Sequence, residues 1–98
     1  MKNIHQKILN LEELKKKISA EKKRGKKIVH CHGVFDLLHV GHIKHFKSAK
    51  KNADFLLVSI TSDQFVNKGP GRPVFNQNLR SEVISSLECV DAVFINNF

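Results

Sequence analysis

The stretch His32-Gly33-Val34-Phe35-Asp36-Leu37-Leu38-His39-Val40-Gly41-His42 concentrates the side chains of this sequence that could do chemistry. His39 and His42 stand three apart, so once a helix begins between them both imidazoles face one ligand, and Gly41 leaves space for it. Gly33 permits a sharp turn and a close backbone approach. Amide protons at the start of the following helix would favour an anion through hydrogen bonds and the helix dipole. Such a bend suits phosphate. The matching reaction is attack by a substrate phosphate oxygen on the α-phosphorus of a nucleoside triphosphate, with pyrophosphate leaving on the far side. That step needs charge neutralisation and alignment more than a nucleophilic side chain. Imidazoles, whose pKa lies near neutrality, donate to the developing charge without gripping product as fixed cations do. Mg²⁺ bridging phosphate oxygens is expected with the triphosphate.

The elements that must position these residues are legible on either side. Asn10 with Glu13 three residues on resembles a capping box, and Leu11, Leu14 and Ile18 recur at helical spacing until Gly25. Lys27 to His32 is a short β-branched block that reads as a buried strand entering the Gly33 turn. From about Gly41 to Asn52, Ile43, Phe46, Ala49 and Ala53 share one face of a second helix. Phe55 to Ile60 is almost continuously apolar, the pattern of a parallel strand covered on both faces. Ser62-Asp63 opens a short helical turn, and Asn67 to Pro73, with both prolines, reads as a basic loop. Leu79, Val83, Ile84 and Leu87 mark a helix from about Asn76, and Ala92 to Ile95 a last strand. The order α-β-α-β-α-β predicts an α/β fold with a Rossmann-like parallel sheet, its ligands beyond the carboxyl ends of the strands. A basic amphipathic helix is expected over 1–26, and the Rossmann-like domain over 27–98.

Composition narrows the function classes. At 98 residues the chain is a single domain with a modest core, and its apolar blocks are far too short to span a bilayer. The polar, basic N-terminus lacks a secretory pattern, so a cytoplasmic location is expected. Cys31 and Cys89 lack metal or redox spacing and read as reduced, buried thiols. Much of the net charge of +8 lies in Lys15, Lys16, Lys17, Lys22, Lys23, Arg24, Lys26 and Lys27, which read as the solvated face of the first helix. A nucleic-acid module using that face is the competing class, but the chain has no Trp or Tyr for base stacking.

Gly33 to His42 resembles the signature of the cytidylyltransferase-like branch of the H-x-G-H nucleotidylyltransferases. Arg24 to Val29 and Lys68-Gly69-Pro70-Gly71-Arg72-Pro73-Val74 look most like the nucleotidylyltransferase domain of bifunctional heptose kinase/adenylyltransferases of lipopolysaccharide synthesis. Gly33 to Lys44 also resembles glycerol-3-phosphate cytidylyltransferase. The resemblance implies that His39 and His42 stabilise the triphosphate in the transition state and that the backbone around Val34 and Phe35 lines the nucleotide pocket. It places Asp36 at the turn beside them, matches Lys68 to a lysine that reaches phosphates from the loop, and makes Arg80 and Arg72 basic residues near the nucleotide. It further implies ATP or CTP and a sugar phosphate as substrates, and a homodimer or an attached sugar-kinase domain; no residue is assigned as a metal ligand. The family's later Ile-Ser-Ser-Thr motif would follow Phe98, so the chain is expected to hold an incomplete domain. Where heptose enzymes usually read Thr-Asn-Gly-Cys-Phe-Asp, this chain reads Cys31-His32-Gly33-Val34-Phe35-Asp36.

Three plainer expectations accompany these readings. His30, His32, His39, His42 and His45 could gather zinc. Phe35 and Phe46 are expected to pack in the core. Arg80 could be a surface residue paired with Glu82.

Overall fold

A computed structural model describes residues 4–67 and 69–98, and its organising element is the apolar run after Asp54. Phe55–Thr61 forms a strand whose first six residues are all buried. With apolar side chains on both faces, it has to sit inside a sheet covered on both sides. In chain order the elements are α1 (Ile4–Lys7), β1 (Ile8–Leu9), α2 (Leu11–Lys23), β2 (Ile28–Gly33), α3 (Val40–Lys51), β3 (Phe55–Thr61), a 3₁₀ turn (Asp63–Phe65), α4 (Gln77–Ser85) and β4 (Ala92–Asn96). The strands form one sheet in the order β1-β4-β3-β2, and every neighbouring pair is parallel. The α/β, Rossmann-like architecture expected from the sequence is therefore present.

Strand alternation divides the core in two. Leu56, Val58 and Ile60 pack with Cys31, Phe46 of α3 and Ile84 of α4 on one face. Phe55 and Leu57 pack with Ala92 and with Leu14 and Ile18 of α2 on the other. The start of α2 is closed by the capping box: the Glu13 amide donates to Asn10 Oδ1 and the Asn10 amide to Glu13 Oε1, each at 2.9 Å. Gly25, at a φ of +75°, turns the chain out of that helix into the left-handed region that favours glycine. Asp91 ties the sheet to α3, accepting from the Leu56 amide at 2.7 Å and pairing with Lys50.

Several expectations change in detail. The first strand runs one residue further, through Gly33. β1 was not expected. Its two residues pair with β4 in register Ile8↔Val93, which puts part of the N-terminal segment in the sheet, and Lys7 donates to the Leu87 carbonyl at 3.0 Å. Cys31 is buried, but Cys89 is only half-buried. Phe46 is fully buried and Phe35 packs against it, so both aromatic residues do belong to the core. α4 buries Arg80, Ser81, Ile84 and Ser85, while the apolar Leu79 and Val83 face solvent. Helical spacing identified that helix, but polar residues with internal partners took the inner face: the Ser81 and Ser85 hydroxyls donate to the Asn78 and Glu82 carbonyls. Among the described residues no helix is long and apolar enough to cross a membrane.

Candidate functional site

The carboxyl end of β2 leads directly into the site. A Cβ on Gly33 would lie 2.8 Å from the Phe35 ring, so a larger residue there would have to push that ring aside. Phe35 itself adopts a φ of +50°, in the left-handed region that a bulky residue seldom enters. This turns its ring edge-on against Phe46 at 5.1 Å and against His42 at 5.4 Å. An aromatic wall thus supports the second histidine.

His39 and His42 form the N-terminal cap of α3. The Gly41 amide donates to His39 Nδ1 at 3.0 Å, and the His39 amide donates to His42 Nδ1 at 3.2 Å. The ring centroids are 4.0 Å apart. An Nδ1 that accepts from a backbone amide leaves the proton of a neutral ring on Nε2, so the capping box sets both tautomers the same way. Gly41 makes this possible, because a Cβ there would stand 2.7 Å from the His39 ring. The expected row of amide donors is modified here. The His39 and Gly41 amides are taken by imidazoles, and those of His42 and Ile43 by the His39 carbonyl. What the helix start presents to an anion is chiefly imidazole N–H.

Asp36 lies against this pair but does not compete for ligand. Its carboxylate is buried and accepts from the Phe75 amide at 3.0 Å, the Val74 amide at 2.9 Å and Arg72 Nη1 at 3.1 Å. The Phe75 amide above all, with Val74 and Arg72 and against the opposing effect of burial, holds this carboxyl below its usual range. The site residues Phe35, Asp36, Leu37, His39, His42 and Arg72 line one polar cleft of about 430 Å³.

Arg80 lies behind the cleft wall, near the site but buried. It is 2 % exposed and does not line the cleft. Its guanidinium donates to the Phe75, Val34 and Thr61 carbonyls at 3.0, 2.9 and 2.8 Å, and to Asp63 at 2.6 Å. The surface pairing with Glu82 is thereby overturned: a cation in the core needs acceptors on all sides, and four segments supply them. Arg80 locks the ends of β2 and β3 to the loop that carries Arg72. Sequence reasoning missed Asp63 and the Val74 and Phe75 amides, which become partners only through long-range folding. Lys68 lies outside the described residues. Among the described residues no three His, Cys, Asp or Glu side chains converge as metal ligands.

A family model described as cytidylyltransferase-like matches residues 30–98, which include the whole cleft. The chain belongs to the cytidylyltransferase-like family. It is 46% identical over 91 residues to the Bifunctional protein HldE of Geobacter metallireducens, covering 91% of this chain and 19% of that protein. The corresponding protein of Geotalea uraniireducens is 44% identical over the same length and shares. The chain thus spans about a fifth of the length of the curated relatives it matches. Among solved structures, the lipopolysaccharide core biosynthesis protein from Thermoplasma volcanium GSS1 superposes with a TM-score of 0.67 at 36% identity, covering 74% of this chain and 59% of that one. In this cytidylyltransferase-like chain β1 and α2 lie outside the matched residues, although both pack on the same sheet.

Proposed function

We propose that the chain is the nucleotide-binding part of a nucleotidylyltransferase that transfers NMP from ATP or CTP to a sugar phosphate and releases pyrophosphate, in the making of lipopolysaccharide-type precursors. The observation that carries this reading is the His39/His42 cap, two imidazoles with matched tautomers on the wall of a polar cleft at the carboxyl edge of a parallel sheet. The acceptor phosphate oxygen forms a bond to the α-phosphorus as the bond to the β-phosphate oxygen breaks. The Nε2–H groups donate to the charge that gathers on the phosphate oxygens, which is the largest contribution a rigid site can make. Arg72, at 39% side-chain exposure, adds a cation beside them. Lys68 is proposed to join from the loop. Gly33 and Gly41 make room for the Phe35 and His39 rings that shape the cleft wall rather than for the ligand itself, and the Val34 and Phe35 segment borders the nucleotide.

The cleft does not build a protein-ligated Mg²⁺ site. Asp36 is the one carboxylate lining it among the described residues; it is buried, and both of its oxygens already accept from Val74, Phe75 and Arg72. Mg²⁺ belongs to this reading as the counter-ion of the triphosphate, carried in with the substrate.

The bifunctional relatives and the lipopolysaccharide core biosynthesis protein that shares the fold support a sugar phosphate as acceptor and an attached sugar-kinase domain in the whole protein. Glycerol 3-phosphate is the second acceptor, on the resemblance of Gly33 to Lys44. Calorimetric titration with MgATP and MgCTP tests the reading, followed by pyrophosphate release with each acceptor phosphate. Heat with one nucleotide and acceptor-dependent pyrophosphate is the expected result. Silence with both nucleotides would overturn it.

A further inference from the structure

Beyond the cleft, a second imidazole pair has no part in the proposed reaction. His30 and His32 alternate along β2 with the buried Cys31, which packs toward α3, so both project from the opposite face of the sheet. On β3 that face carries Leu57, under α2, and then Ser59 and Thr61. Register places His32 beside Ser59. Both rings are exposed, past the part of the sheet that α2 covers.

Two ring nitrogens converge on one atom here. His30 Nε2 lies 2.7 Å and His32 Nδ1 2.6 Å from the Ser59 hydroxyl oxygen. A hydroxyl has a single proton and donates to only one of them. On the other side of the His32 ring, Nε2 lies 3.4 Å from the Thr61 hydroxyl. A ring whose Nε2–H is held by an oxygen presents the Nδ1 lone pair inward, the second contact that metal-ligating histidines generally have.

We propose that His30 and His32, bridged at present by the Ser59 hydroxyl, form a two-histidine site for a divalent ion of the zinc class. Imidazole nitrogen suits Zn²⁺, Ni²⁺ and Cu²⁺, at about 2.0–2.1 Å for zinc. The ion takes the lone pairs of His30 Nε2 and His32 Nδ1; the ring that now donates to Ser59 carries its proton on its other nitrogen instead, and the Ser59 hydroxyl keeps its own proton and turns it outward. Because no third His, Cys, Asp or Glu joins them among the described residues, the Ser59 oxygen and water complete its shell. It ties β2 to β3 on the side of the sheet away from the cleft.

The test is titration of the protein with Zn²⁺ alone at neutral pH, read by histidine ring ¹⁵N NMR. The expected result is movement of the His30 Nε2 and His32 Nδ1 signals. His30→Gln and His32→Gln, each with an unchanged circular dichroism spectrum, are expected to weaken Zn²⁺ binding at least about tenfold. Binding should persist when His39 and His42 are both replaced by Asn, which separates this site from the cleft. A Zn²⁺ response confined to His39, His42 or His45, or wild-type affinity in both Gln variants, would overturn the proposal.

Discussion

His39 with His42 and His30 with His32 are two close imidazole pairs that begin within ten residues of each other, and their hydrogen bonds set them to different tasks. In the helical pair both Nδ1 atoms accept from backbone amides, so the tautomers are imposed by main chain that cannot rotate away. In the strand pair the two rings share one side-chain hydroxyl. The first arrangement makes both rings donors toward a polyphosphate, and the second brings two ring nitrogens to one oxygen, where only one of them can accept its proton. Spacing along the sequence brings imidazoles together; the partner of the second nitrogen decides their chemistry.

Loss of one cleft donor is the largest effect expected. His39→Ala and His42→Ala should each lower turnover about 10²–10³-fold with the fold intact, whereas His30→Ala should leave turnover within about twofold, as measured by pyrophosphate release. Equal losses in both pairs would show that the strand pair also acts in the reaction. Arg80→Met comes next. Leaving three carbonyls and Asp63 without their donor should cost about 3 kcal/mol in urea unfolding, and a loss under about 1 kcal/mol would show that Arg80 does not hold the cleft walls.

A methyl group at position 41 sharpens the role of the capping geometry. Gly41→Ala must displace the His39 ring from its Nδ1 contact, and turnover should fall about tenfold while the Zn²⁺ response of His30 and His32 is retained. The smallest effect is in the strand pair. His30 has a folded-state pKa below its ordinary 6.5, so its contribution to stability is fully present above that pH and is lost as pH falls through the folded value. The midpoint of thermal unfolding should therefore fall more steeply below pH 6.5 in the native protein than in His30→Gln. Identical slopes would remove His30 from the acid response.

Local signals were enough for the elements and for the turn. Asn10 and Glu13 cap α2 as their spacing predicts, the apolar run at Phe55 is the covered central strand, and Gly33 and Gly41 are glycines for steric reasons visible in the rings beside them. Contacts that join distant segments were not legible. Nothing near Arg80 in the chain indicates that Val34, Thr61 and Phe75 will surround it, and nothing near His30 indicates that β3 will set Ser59 opposite His32. β1 was hidden because two residues carry no periodicity. The outward Leu79 and Val83 show that helical spacing reports a helix more dependably than it reports the buried face.

Transfer at the cleft requires the helical pair to meet a polyphosphate, and histidine ring ¹⁵N NMR during titration with MgATP or MgCTP reads that contact. The predicted result is that the His39 and His42 Nε2 signals move with one of the nucleotides while those of His30 and His32 stay in place. Nucleotide binding that leaves both cleft histidines unmoved would contradict it.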